Sequence, residues 1–458
     1  MSRTVDMTVG KPTRHLLSFA FPLLLANLGQ QFYMIVDAAI VGRGVGVKAL
    51  AAVGATDWSY WLILWSIAGL TQGFSTFVSR SFGEKNYKEL NKVVAMSAFL
   101  CAVIGGILTV AGILAAKPLL VLLNTPEDII GSAHTYLVTM VSGTLIVMAY
   151  NMSSSILRAF GDGKSPLIAM IIAAALNIGL DCLFVFVFKW GIFGAAVASV
   201  TAQLVSFVFC FFRIRTIEYI DLNPEVRKID WCVAKEMLVF GLPIAIQYII
   251  IAGGGILLQS SVNLQGSNFI AGYTATNKVY GLLECSATAL GLACSTFFAQ
   301  NYGAGKYDRV KTGVKNASII VFGLAALVLV FVHFTKRLLL QLFLDVNEAG
   351  GPEALEAGVR YLSIMVGFLV FLFLIYVFRN ALQAMEVSVW SMVSGIVEFF
   401  CRVFMAKVAI NWLGSDALFI SEPVAWLGAL LCVMLPYFYY RKTLLAGKRQ
   451  SAGTQLLM

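Results

Sequence analysis

Apolar residues run along this chain in long unbroken blocks. Leu16–Ile35 and Leu167–Phe188 are two of them, each long enough to cross a hydrocarbon core, which takes about 20 helical residues. Twelve such blocks predict twelve spanning helices, near 14–39, 50–80, 93–123, 132–157, 165–188, 191–215, 235–263, 269–299, 314–344, 358–384, 388–411 and 418–440. A membrane barrel would show short alternating runs, and none of these blocks alternates. Within lipid the backbone must satisfy its own hydrogen bonds, so the blocks are helices. The expected fold class is an all-α polytopic membrane protein.

A polar stretch over 213–235, with Asp221, Pro224, Arg227, Lys228 and Asp230, parts six helices from six. The halves match when shifted by about 220 residues. Ala51, Ala55 and Thr56 fall on Ala271, Ala275 and Thr276, and Ser75, Thr76 and Phe77 on Ser295, Thr296 and Phe297. Gly83 falls on Gly303 and Tyr87 on Tyr307; one residue of slippage adds Phe19 and Pro22 on Phe240 and Pro243, and Arg158 on Arg379. Long-period duplication in an apolar chain marks a transporter of two repeats. Six helices per half is an even number, so both halves enter from the same side. A pseudo-twofold along the membrane normal, with a cleft between two six-helix lobes, is therefore expected. The lobes are predicted at 12–215 and 235–442, joined by a cytoplasmic linker at 216–234.

The composition, 59% hydrophobic and 12% charged, departs from the roughly 25% charged content of soluble domains. The net charge of +9 reads as topology, not as nucleic-acid binding. With the N-terminus inside, 23 of the 33 Lys and Arg lie in inner loops and tails, as the positive-inside rule demands. Both termini are thus expected in the cytoplasm of a bacterial-type plasma membrane. The first apolar run is longer than a signal-peptide core, so no cleavable signal is expected. Eight scattered cysteines indicate neither a zinc site nor a disulfide framework. No HExxH, GxSxG or phosphate-binding loop is present, and the three histidines lie far apart in sequence. An enzyme is not expected.

Small residues over Gly191–Ser199 read as a helix-packing face, and Trp190, Trp231, Trp412 and Tyr437–Tyr440 as interfacial anchors. Trp58, Trp61 and Trp65 share one side of the second helix. They form either core packing or an aromatic wall for a flat or cationic ligand.

Ionisable residues in mid-membrane must pair, reach water or work. Asp37 lies deep in the first helix, sharing a face with Asn27, Gln30 and Met34. Asp181 lies in the fifth, one turn after Asn177. Glu284 and Lys278 lie in the eighth, while Glu398 and Arg402, four apart in the eleventh, suggest a structural ion pair. Under the duplication Asp37 corresponds to Gln259, and Asn177 and Asp181 to Glu398 and Arg402. Only the first half then keeps acids without a cation beside them. Two carboxylates in one low-dielectric bundle cannot both ionise cheaply, so they exchange protons as a coupled pair. With Asn177 and Ser199 the same oxygens suit Na⁺. In the plainer alternative each aspartate caps a kink or faces a water pocket. Gln30, Met34, Trp61, Trp65, Gln259 and Glu284 are candidate cleft residues for a small-molecule substrate.

The segments Val36–Arg43, Ala49–Gly54, Leu157–Pro166, Asn177–Asp181 and Gln300–Gly305 together resemble the multidrug and toxic compound extrusion (MATE) transporters over roughly 12–442. The resemblance implies alternating access and efflux driven by H⁺ or Na⁺, with no other cofactor. It also implies a cation site at Asp37, Asn177 and Asp181, with Ser199 where members often have Thr, and a bend of the first helix at Pro22. Helix 7 offers Gln247 and Gln259, and helix 10 offers Arg379 and Gln383, where the NorM-like branch carries acids. Coupling in the first lobe, as in the DinF-like branch, is the better match. A flippase for lipid-linked precursors is the alternative, but its headgroup calls for several unpaired cations in the cleft, and only Lys278 and Arg402 lie mid-segment. The protein is expected to work as a monomer in the bilayer.

Overall fold

The computed structural model describes residues 4–123, 125–221, 228–346, 348 and 350–445, and among these no strand occurs. Fourteen α-helices follow in order: α1 (Pro12–Gly44), α2 (Val47–Gly83), α3 (Tyr87–Leu122), α4 (Glu127–Ser142), α5 (Thr144–Ala159), α6 (Lys164–Asp181), α7 (Gly191–Arg215), α8 (Trp231–Val262), α9 (Ser267–Gly303), α10 (Tyr307–Gln341), α11 (Gly351–Ala384), α12 (Val389–Phe404), α13 (Ile410–Leu413) and α14 (Asp416–Leu445). Among the described residues ten helical segments are long and apolar enough to span a membrane, and α4 with α5, bent by 45°, forms an eleventh. The twelfth expected span is α12 continued through a π turn, Met405–Ala409, into α13. Outward faces carry bare apolar side chains such as Leu114, Leu122, Phe334 and Trp412, as lipid-facing helices should.

The chain divides into two compact units, one of 1–6 with 21–245 and one of 7–20 with 246–458. These limits differ from the expected 12–215 and 235–442, and residues 222–227 of the expected linker lie outside the described residues. Packing explains the difference. The first half of α8 belongs to the first unit because Gly69 and Gly73 of α2 meet Ala245 and Gly241 backbone to backbone; a Cβ on either α2 glycine would overlap main chain, so small residues set this contact. Residues 7–20 belong to the second unit because polar groups of α9 and α10 hold them. Gln300 Oε1 accepts from Met7 N–H at 2.9 Å, and Asn316 donates to Thr13 Oγ1 at 3.0 Å. Arg309 donates to the carbonyls of Met7 and Gly10 at 3.0 and 2.9 Å. Pro22 and Pro243, inside α1 and α8, stand beside the two places where the chain changes unit within a helix.

The duplication is visible bond by bond. After α2, Glu84, Lys85 and Asn86 donate to Arg80, Phe82 and Ser81; after α9, Ala304, Gly305 and Lys306 donate to Gln300, Tyr302 and Asn301. Lys85 and Gly305 both take a left-handed φ, 57° and 67°, the conformation that closes a helix. The turns ending α5 and α11 also repeat, but in another register. Phe160, Gly161 and Asp162 donate to Ile156, Arg158 and Leu157, as Met385, Glu386 and Val387 do to Ala381, Gln383 and Leu382. Arg158 is therefore level with Gln383, and Arg379 sits one helical turn deeper than the sequence alignment placed it. Carried into α6 and α12, the same register sets Arg402 level with Asn177. A slip of one turn preserves a helical face, so the apolar pattern could not reveal it.

One element is not duplicated. α11 is continuous, whereas its counterpart breaks between α4 and α5 at Gly143. A Cβ at Gly143 would stand 2.6 Å from a methyl of Val200, so the break occurs where α7 presses on a residue without a side chain.

Candidate cation and substrate sites

In the first unit α1 and α6 run side by side in the same direction. Gly29 of α1 faces the Met170 side chain, and Gly44 faces Val185 and Phe186 of the π turn Cys182–Val187 that continues α6. Asp37 lies midway along this contact, and its carboxyl comes within hydrogen-bonding reach of Asp181. Asp181 is the last residue of α6 and completely buried, directly before the π turn. Such turns release backbone groups from the regular ladder and often mark working sites. Asn177, also buried, donates through Nδ2 to Ser199 Oγ on α7 at 3.3 Å.

That bond uses the amide nitrogen of Asn177 and leaves its amide oxygen without a donor. Asp37 Oδ1, Asp181 Oδ1 and Oδ2, and Asn177 Oδ1 are all buried and meet no hydrogen-bond donor among the described residues. Neither aspartate has an ion-pair partner among them. Two ionised carboxylates cannot hydrogen-bond to each other; a proton on one makes the bond, and a hard cation bound by oxygen does the same electrostatic work. The donor set fits H⁺ or Na⁺. Of the four residues that sequence reasoning grouped, the structure sets Asp37 beside Asp181 and bonds Asn177 to Ser199. It missed Tyr33, one turn before Asp37 on the same face of α1, whose hydroxyl lies in the field of both acids. Tyr60 and Tyr136 extend this aromatic surround. The four-residue spacing from Asp37 was the available signal for Tyr33.

The candidate cleft residues disperse over both units. Gln30 is exposed on α1 and Met34 half-buried. Trp61 and Trp65 are half-buried on α2, their rings 5.8 Å apart and tilted by 49°. Gln259 donates to Asn263 at 2.8 Å at the end of α8. Lys278 is exposed on α9. Glu284, on the same helix, accepts from the Tyr376 hydroxyl of α11 at 3.3 Å.

Glu398 and Arg402 form an ion pair, as expected, and it is part of a larger network. Their mutual contact is long, 3.5 Å. Glu398 is held more closely by Arg379 of α11 at 2.7 Å, and Arg402 donates from Nε and Nη2 to both oxygens of Glu422 on α14 at 2.9 Å. Ser394 accepts a further bond from Arg379 at 2.9 Å. Arg379 is buried in α11, and Glu422 was overlooked although it too is an acid within an apolar block.

Outside the spans, Asp230 precedes α8. The Val233 N–H, then the Lys92 ammonium at 3.4 Å and the Cys232 N–H, hold its carboxyl below the usual carboxylate range.

A duplicated bundle of membrane-length helices with buried acids defines an integral membrane transporter. The family model MatE matches residues 22–183 and again 243–408, and the chain belongs to that family, whose members are transporters and not enzymes. It is similar to a probable multidrug resistance protein, YpnP, of Bacillus subtilis strain 168, with 27% identity over 96% of this chain and 98% of the relative. A second B. subtilis protein of the same description, YoeA, is 29% identical over 75% of this chain and 76% of its own. The fold is that of a solved structure described as the outward-facing conformation of a multidrug resistance MATE family transporter, with a TM-score of 0.88, 22% identity, and coverage of 97% and 99%.

Proposed function

We propose that this protein is a secondary active exporter that moves small lipophilic or cationic compounds outward in exchange for H⁺ or Na⁺. The observation that carries the reading is the acceptor-only cluster of Asp37, Asp181 and Asn177. Four buried oxygens without a donor repel one another until positive charge enters, so the cluster favours cation uptake. Asp37 and Asp181 hold the cation, Asn177 adds an oxygen, and Ser199 orients that oxygen by accepting from Nδ2. Uptake from outside then weakens substrate binding and resets the cycle by alternating access. A potential of 100 mV supplies about 2.3 kcal/mol per charge, enough for roughly fifty-fold accumulation at 1.4 kcal/mol per decade.

Coupling in the first half matches the DinF-like pattern, and the descriptions of YpnP and YoeA support multidrug export. The positive-inside bias supports a bacterial-type cytoplasmic membrane with both termini inside. One chain carries the complete acid cluster, so a monomer suffices. A lipid-pyrophosphate headgroup is a poorer match, because Arg379 and Arg402 are already engaged by Glu398 and Glu422. The test is efflux from proteoliposomes with pH and Na⁺ gradients imposed separately. Wild type should respond to at least one gradient, and Asp37→Asn and Asp181→Asn to neither. Undiminished gradient-driven efflux in both variants rejects the site.

A further inference from the structure

The turn joining α9 to α10 binds main chain. Asn301 Nδ2 donates to the Met7 carbonyl at 3.2 Å and Lys306 Nζ to the Thr8 carbonyl at 2.9 Å. The Arg309 guanidinium adds a bond to the Val9 carbonyl at 3.3 Å beside those to Met7 and Gly10, and Asn301 Oδ1 holds its Nε at 2.8 Å. With the Met7 N–H on Gln300, every carbonyl from Met7 to Gly10 has a donor in the second unit. Gln300 and Asn301 are completely buried in this contact. The shared scaffold does not account for the set. Level positions around the α2–α3 turn carry Arg80, Ser81 and Glu89 where the second unit has Gln300, Asn301 and Arg309, and Arg80 pairs with Glu84 at 3.3 Å.

The chain just before this segment is tied to the first unit. Val5 N–H donates to the Phe160 carbonyl at 2.9 Å, and a Cβ at Gly161 would stand 2.6 Å from the Val5 carbonyl oxygen. Only Asp6 separates Val5 from Met7, two Cα steps or about 7 Å of extended chain. A segment fastened at both ends over that length has almost no slack. Under the export reading, on which this step rests, one repeat rocks against the other, so both fastenings cannot persist through a cycle. The two are unequal. Arg309 and Lys306 make charge-assisted bonds, stronger than the neutral bond at Val5. Met7 and Thr8 are buried while Val5 is exposed, and exposed backbone bonds near a chain terminus open first.

We infer that residues 5–10 form a releasable strap: Met7–Gly10 stay fastened to the second unit, and the Val5 bond to Phe160 opens and closes as the transporter changes conformation. Hydrogen exchange resolved to single amides on the purified protein tests this without any gradient. Efflux from proteoliposomes decides the export reading separately, and the amide rates decide the strap. Corrected for intrinsic rates, the Val5 N–H should exchange about tenfold or more faster than the Met7 N–H, as separate opening of the weaker end requires. Stepping Na⁺ or pH should change Val5 exchange several-fold and leave Met7 unchanged. Val5→Pro, which deletes the donor, should keep Met7 protected. Arg309→Ala should remove that protection, with unchanged exchange in α11 showing that the variant is folded. Equal exchange of Val5 and Met7 in wild type, or no response of Val5 to either cation, overturns the assignment. So does Met7 protection that is lost in Val5→Pro or kept in Arg309→Ala.

Discussion

In the first unit buried oxygens of Asp37, Asp181 and Asn177 meet no hydrogen-bond donor, and neither acid has an ion-pair partner among the described residues. In the second, Glu398 and Glu422 are each held by an arginine. Both clusters sit where an apolar bundle makes charge expensive, and both come from one ancestral repeat. They differ in whether the compensating charge is built in. An arginine is permanent and makes the second cluster structural. A carboxyl pair without one must draw its positive charge from outside, which is the ground for proposing that the first responds to a gradient.

The comparison breaks most severely at Arg402. Arg402→Leu strands Glu422, leaves Glu398 with Arg379 alone, and should cost about 3–5 kcal/mol, read as a lower melting temperature of the purified protein. Adding Glu422→Leu should recover part of that loss. The equivalent neutralisation in the first unit, Asp181→Asn, should leave the melting temperature unchanged or higher, because it removes a repulsion. A smaller effect is expected at the break between α4 and α5. Gly143→Ala drives a methyl toward Val200 and should cost about 1–3 kcal/mol by overpacking, measurable by the same melt.

Smaller again is Ser199→Ala. It frees Asn177 from one neutral hydrogen bond worth about 1 kcal/mol, so the apparent affinity for the coupling cation should fall a few-fold while maximal efflux persists. Least of all is the effect at Asp230, outside both clusters. Its depressed carboxyl contributes stability present above the ordinary carboxylate range and lost as pH falls. The destabilisation in Asp230→Ala should therefore be visible at neutral pH and fade below about pH 4.

The helices and the acid pair were legible in the sequence for definite reasons. Apolar blocks of spanning length admit only helices, and Asp37, Asn177 and Asp181 stood out because polar groups there are costly. Other features left no such trace. Gly143 in an apolar run fits a straight helix as well as a broken one. The true level of Arg379 was hidden because a one-turn slip keeps every side chain on its face. Glu422 pairs with Arg402 across two helices, 20 positions apart, and no local spacing announces such a contact. The change of unit within α8 depends on glycine contacts between distant segments, Gly69 with Ala245 and Gly73 with Gly241, and that within α1 on bonds from Gln300, Arg309 and Asn316.

The most direct measurement is the infrared absorption of protonated carboxyl groups, followed as pH or Na⁺ is stepped on the purified wild-type protein, Asp37→Asn, Asp181→Asn and Glu398→Gln. A cation-responsive carboxyl band present in wild type and Glu398→Gln but absent from both aspartate variants is the predicted result. A band that survives in both aspartate variants, or vanishes in Glu398→Gln alone, would contradict the account.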